Sequence, residues 1–302
     1  MKTLPIIEQH FHGAYGVNFN KACVSKIVEL DKKLVSGGIG GYFPTLVTDS
    51  LDNIRRQIGI IKEAAKQTLG ILGIHLEGIF INPEKKGIHN PEHFLPLTVD
   101  NYKKIEDDFI KIVTLAPELD QGLISYLKSK GVKVQAGHCT GWSRQVDGVT
   151  HMFNAMSGVS HRDSESTALS ALVDDNVYAE VIADGVHVSD DALKLLFRSK
   201  PEEKVLLVSD ALPITYSDEK EAVFADSKIF YDGKRAVSSD GTLAGSTKLL
   251  PEIIKNLAEK GFFKPKFIEN SYDYHNLPKK GSIEWDDNFN IEAVNLGETK
   301  GY

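Results

Sequence analysis

Cysteine is nearly absent: Cys23 and Cys139 are the only two among 302 residues. That excludes a disulfide framework and suits a reducing cytosol. Long apolar runs are missing too, since none approaches the roughly 18 residues a membrane helix needs. The opening Met-Lys-Thr-Leu-Pro-Ile-Ile-Glu lacks the apolar stretch of a secretion signal. Nor is there an excess of basic charge. Thirty-five Lys and Arg stand against 42 Asp and Glu, a net charge of -7, which argues against nucleic acid as a partner because a polyanion needs a basic face. Internal repeats, low-complexity tracts and proline-rich linkers are also lacking. With 41% hydrophobic and 25% charged residues, the expectation is a cytoplasmic globular protein with a large core. Neither membrane nor nucleic acid is expected as a partner. A phosphorylated small molecule remains compatible, because a local site overrides net charge.

What is present is a rhythm. Strand-like apolar runs at 4–11, 39–45, 70–77, 109–116, 132–138, 149–153, 177–183 and 205–210 alternate with amphipathic stretches at 21–35, 51–67, 119–130, 167–174, 190–198 and 246–260. Eight strand-like runs, most followed by a helical pattern, predict a closed (β/α)8 barrel of the TIM type, a fold of about 250 residues. The barrel is expected over residues 1–261 and a tail over 262–302. Within the tail, 282–285 and 291–296 flank 286–290 and predict a hairpin. Residues 213–240 read as a polar, strand-poor insertion.

The reactive side chains gather at one pole of this pattern. His10 and His12 close the first run, Glu77 the third, His138 the fifth and Asp210 the eighth; His151 falls in the sixth. The C-terminal strand ends of such a barrel meet at the rim where active sites are built. Any one of these residues alone is an ordinary hydrogen-bonded strand end or turn. Six nitrogen and oxygen donors on one rim point to one or two divalent metal ions, with zinc or iron suited to the set. Cys139, next to His138, faces away by alternation and reads as packing. The loop after Glu77 carries His89 back toward the rim, and Asp184-Gly185-Val186-His187 brings His187 there. Arg162 has the planar fork that suits phosphate. Leu243-Ala244-Gly245-Ser246 reads as the opening of the last helix, whose free N–H groups favour an anion.

Taken together these segments resemble the N-acetylglucosamine-6-phosphate deacetylases of the amidohydrolase superfamily. The resemblance rests on His10-Phe11-His12-Gly13, His75-Leu76-Glu77-Gly78, Lys86-Gly87-Ile88-His89-Asn90-Pro91, Gly137-His138, and Thr150-His151-Met152-Phe153-Asn154-Ala155-Met156. It continues through His161-Arg162, Asp184-Gly185-Val186-His187, Ser209-Asp210-Ala211 and Leu243-Ala244-Gly245-Ser246, in family order. It implies Glu77, His138 and His151 as ligands of a principal metal, with His10, His12 and Asp210 completing a second site. It implies Asp210 as the catalytic acid and base and His89 as the oxyanion donor. Substrate contacts are implied at Ile88, His89, Asn154, Ala155, His187, Leu243, Ala244 and Gly245. Arg162 is implied to reach the substrate phosphate across a homodimer interface. The family also carries a small β domain built from both ends of the chain. Only nine residues precede His10, so a truncated β appendage with the C-terminal hairpin as remnant is expected. Two rival readings are deacetylation of the galactosamine epimer and a non-catalytic sugar-phosphate-binding protein.

Overall fold

The computed structural model describes residues 1–164 and 166–297. Eight strands hydrogen-bond in chain order as one parallel sheet: β1 (Ile6–Phe11), β2 (Ile39–Leu46), β3 (Ile74–Glu77), β4 (Ile110–Leu115), β5 (Lys133–Ala136), β6 (Gly148–Val149), β7 (Tyr178–Val181) and β8 (Val205–Leu207). Beyond the ladder, the Asp210 N–H donates to His10 O and the His12 N–H to Ala211 O, each at 2.8 Å. These two bonds draw the last strand onto the first, and the sheet is a nearly closed barrel, the fold class that the alternation predicts.

Helices α1 (Val24–Ser36), α2 (Leu51–Ala65), α3 (Leu123–Ser129), α4 (Thr167–Val173), α5 (Asp190–Ser199) and α6 (Leu250–Glu259) cover the outside. α2 shows why. Ile54, Ile58 and Ile61 recur at helical spacing and are buried, each contributing about 1.5–3 kcal/mol by leaving water. Ser50 caps its start by accepting from the Asn53 N–H at 3.2 Å. Parallel register sets Thr45 beside His75 and Glu77 beside Thr114, so polar residues line up at one end of the barrel.

Three readings need correction. The 213–240 insertion is not strand-poor. β9 (Glu221–Phe224), β10 (Ser227–Tyr231), β11 (Ala236–Ser238) and β12 (Leu243–Gly245) form an antiparallel meander. Its strands bury Phe224, Ile229 and Ala236 on one face and expose Val223 and Phe230 on the other. Leu243–Gly245 is therefore an extended strand and not the mouth of a helix, since α6 starts only at Leu250. The anion reading of helix N–H groups at Gly245-Ser246 falls with it. The tail, in turn, holds more than a hairpin. β13 (Ser282–Trp285) and β14 (Ile291–Asn295) pair as expected, and Lys2–Thr3 adds a third strand against β13.

Before that hairpin comes α7 (Lys266–His275), which packs on the barrel itself. Tyr272 joins Ile7, Phe43 and Ile112 in a buried cluster and donates to Pro5 O at 2.8 Å. Asn270 donates to Val205 O at 2.8 Å. Pro5 and Val205 stand at the N-terminal ends of their strands, so α7 closes the floor opposite the reactive rim. Residues 298–302 of the expected tail lie outside the described residues.

Candidate active site

The rim is built by chain reversals just past the strands. His138, His151 and Asp210 follow β5, β6 and β8 by two or three residues and take left-handed backbone at φ 48°, 28° and 52°. Such conformations cost of order 1–3 kcal/mol each and persist where the surroundings over-determine them. β6 ends at Val149, so His151 lies beyond the strand and not within it. His10 lies inside β1, where the β1–β2 pairing shifts register between Glu8 and Phe11. That irregularity lets the neighbours Gln9 and His10 both reach one carboxylate, Glu180, which strict alternation forbids.

The six expected donors converge. Glu77 Oε1 lies 3.3 Å from His10 Nε2, 3.3 Å from His138 Nε2 and 3.1 Å from His151 Nε2. Glu77 Oε2 is 3.0 Å from His12 Nε2, which in turn is 3.2 Å from Asp210 Oδ1. The two imidazole nitrogens His138 Nε2 and His151 Nε2 face each other at 3.1 Å. Donor atoms of His10, His12, Glu77 and Asp210 all lie within 4.8 Å of one another, as do those of Glu77, His89 and His138.

Hydrogen bonds on the far side of the rings decide what this cluster holds. His10 Nδ1 lies 3.0 Å from Glu180 Oε2, His12 Nδ1 3.3 Å from Thr45 O, and His138 Nδ1 2.8 Å from Lys85 O. Each of these oxygens only accepts, so each Nδ1 must donate and each neutral ring turns a bare Nε2 lone pair inward. Lone pairs then point at carboxylate oxygens, which is repulsive unless a cation lies between. His10 Nε2 is buried and makes no hydrogen bond. The electrostatics carry the same message in protons. Burial opposes charge on His10 and His12, yet the facing carboxylates raise both above the ordinary histidine value. Burial opposes charge on Glu77 and Asp210 as well, and the same imidazoles hold both below the ordinary range. The cluster draws positive charge, and a divalent ion fits its donors.

A cleft opens over this cluster. Ile88, His89, Asn154, Ala155 and His187 line it, together with Leu243, Ala244 and Gly245 from β12. Arg162 is exposed and is not among the residues that line the cleft. His89 is fully buried, and burial holds it well below the ordinary histidine value. Thr48 Oγ1 accepts from the Ile79 N–H at 2.9 Å and sits 2.7 Å from His89 Nδ1. If the Thr48 hydroxyl hydrogen goes to Nδ1, His89 presents Nε2–H to the cleft. Gly78 makes room for this pair: a Cβ there would stand 2.0 Å from Thr48 Oγ1, at φ 116°. His187 Nδ1 donates to Asp184 Oδ2 at 2.8 Å, which leaves Nε2 as an acceptor.

Several site residues were beyond the sequence reading. Phe224 and Thr242, from the meander, line the cleft, and the Phe224 ring meets His12 edge-on at 4.9 Å. Thr48 and Glu180 support the ligands from behind. Glu180 did leave a signal, as the one charged residue inside the apolar run Tyr178–Val181. Cys139 is buried against Thr167, in keeping with its reading as packing.

No family model matches the chain. Among characterised proteins, it is 33% identical over 273 residues to the N-acetylglucosamine-6-phosphate deacetylase of Bacillus subtilis (strain 168), covering 84% of this chain and 69% of that one. It is 28% identical over 269 residues to the N-acetylgalactosamine-6-phosphate deacetylase of Escherichia coli O157:H7, covering 84% and 71%. A Mycobacterium smegmatis N-acetyl-D-glucosamine-6-phosphate deacetylase variant, solved in complex with N-acetyl-D-glucosamine-6-phosphate, superposes with a TM-score of 0.90 at 22% identity over 98% of this chain and 86% of that one. At that identity the structure speaks for the fold, and the sequence relatives speak for the family. The chain belongs to the N-acetylglucosamine-6-phosphate deacetylase family of the amidohydrolase superfamily.

Proposed function

We propose that this chain removes the N-acetyl group of N-acetylglucosamine 6-phosphate, giving glucosamine 6-phosphate and acetate. The observation that carries the reading is the inward set of Nε2 lone pairs meeting Glu77 and Asp210 beneath a cleft. Glu77, His138 and His151 would hold a principal ion, with His10, His12 and Asp210 serving a second. Zinc or iron suits this nitrogen and oxygen donor set. A divalent ion held there supplies Lewis acidity, which acidifies water and polarises a carbonyl oxygen.

The protein's own groups do the rest. Asp210 Oδ takes the proton of the attacking water and later returns it to the departing amine nitrogen. The neutral His89 Nε2–H meets the developing oxyanion, a role worth about 3 kcal/mol for one well-placed donor. His187 Nε2 accepts from a sugar hydroxyl, while Asn154, Ala155, Ile88 and the β12 backbone at Leu243, Ala244 and Gly245 enclose the ring. Arg162, exposed on this chain, meets the phosphate from the neighbouring subunit of a homodimer in the cytoplasm.

The 28% identical galactosamine-specific relative keeps that epimer as a second reading. Parallel steady-state assays of acetate release separate the two. The expected result is a higher kcat/KM for the glucosamine epimer, and the reverse order reassigns the substrate. A metal-loaded protein that turns over neither would mark it as a sugar-phosphate-binding protein.

A further inference from the structure

Glu180 is a fully enclosed carboxylate of the barrel. It sits in β7 with no exposed surface, and every group facing it is a donor. Oε1 accepts from Gln9 Nε2 at 2.5 Å and Gln135 Nε2 at 2.8 Å, while Oε2 accepts from His10 Nδ1 at 3.0 Å and the His151 N–H at 3.3 Å. A buried carboxylate without such partners would be strongly destabilising. Here four donors from β1, β5 and the turn after β6 fix it. No cleft residue needs it for substrate, because it lies beneath the metal cluster.

We propose that Glu180 is the positioning residue for the second metal site: by holding His10 Nδ1–H it fixes the ring so that Nε2 faces Glu77 and Asp210. Resting on the hydrolase reading above, this adds a determinant of how many ions the chain holds. Geometry supplies the asymmetry. Glu180 grips the His10 side chain but meets His151 only at its backbone N–H. The ring of His138 is held elsewhere, by Lys85 O. Loss of the carboxylate charge therefore falls on the His10, His12 and Asp210 side, sparing the site of Glu77, His138 and His151. Its negative charge also helps balance a second divalent ion next to the first.

Glu180→Gln is the suitable variant, since it keeps shape and one oxygen. Turning the Gln135 amide over would bring its buried, unpartnered Oε1 to the new NH2 in place of the Nε2 that now faces Glu180. The experiment titrates metal-free wild type and Glu180→Gln with Zn(II), reading stoichiometry by elemental analysis and affinity by competition with a chromogenic chelator. The expected wild type holds two ions, and in Glu180→Gln the weaker-bound one loses about 10–100-fold in affinity while the other is unchanged. An unchanged weaker-bound ion in the variant, an equal loss at both ions, or a wild type with only one ion overturns the proposal without touching the hydrolase reading. A wild type that binds no ion sinks that reading as well. Should Glu180→Gln fail to fold, nitrogen-15 spectra of histidine-labelled, zinc-loaded wild type still decide. His10 is expected as the Nδ1–H tautomer, and Nε2–H would contradict the proposal.

Discussion

Asp210 combines two tasks, ligand and proton carrier, because its carboxyl lies 3.2 Å from His12 Nε2 while still lining the cleft. Asp210→Asn is expected to keep the ion at Glu77, His138 and His151 yet lower kcat by about 10²–10⁴-fold. Elemental analysis alongside acetate release checks this, and near-normal turnover would reassign the proton carrier. Thr48 acts on His89 without touching substrate. Thr48→Val removes the hydroxyl that directs the His89 tautomer and should lower kcat by up to about 10²–10³-fold, the range for one lost oxyanion donor. Thr48→Ser should restore most of it with KM little changed; equal losses in both variants would show the effect to be packing. Asp184 offers a test in pH. Burial opposes its charge, but the hydrogen bond from the His187 ring and those from the His187 and Val186 N–H groups outweigh burial and hold its pKa at about 2, below the ordinary 3.8. A depressed carboxyl stabilises the fold above its unfolded pKa, and the benefit is lost as pH falls through the folded one. The contribution is about 2 kcal/mol, present above about pH 4 and gone below about pH 2. Denaturant titrations should therefore show a stability gap between wild type and Asp184→Asn that shrinks across that window. A gap that stays constant would contradict the assignment.

At the level of elements, the meander of β9 to β12 is the piece most loosely tied to the barrel chemistry and still needed by it. Its turn at Ala225-Asp226 joins β9 and β10 with both residues at positive φ, 48° and 61°. No Asn-Gly or Asp-Gly announces that turn, and the strands are three to five residues long with one wet face, so the segment reads as polar loop. Phe224 anchors it, buried against His12. Phe224→Ala should cost about 3–5 kcal/mol of packing, enough to open the meander locally while the barrel stays folded. Limited proteolysis is expected to cut within 221–245 faster in the variant, with KM raised and metal content unchanged. Cutting spread evenly along the chain would show that the meander and barrel unfold together. The hairpin of β13 and β14 was legible because Asp286–Asn290 is a polar break between alternating runs. Helix α7 was not, because its buried residues include Asn270, Ser271, Tyr272 and Tyr274, polar by composition; Asn270 Nδ2 and Tyr272 Oη find barrel-floor partners in Val205 O and Pro5 O.

For the whole molecule, the barrel order and the pole of the reactive residues follow from the sequence because both are periodic properties. The first, third, fifth, sixth and eighth strand runs carry a His, Glu or Asp at or near their ends, and a parallel barrel brings such ends together. What escapes such reading is whatever depends on exact reversals: the left-handed turns at His138, His151 and Asp210, the register shift that lets Gln9 and His10 share Glu180, and Thr48 behind His89. Those details come from chain pairing across long separations. They convert six scattered donors into a pocket that demands a cation. Elemental analysis of the purified protein, paired with acetate release from N-acetylglucosamine 6-phosphate before and after chelation, tests this most directly. The account predicts one or two divalent ions per chain, activity lost on chelation, and activity recovered with zinc or iron. A folded chain that holds no divalent ion, or that releases acetate equally well after exhaustive chelation, would contradict it.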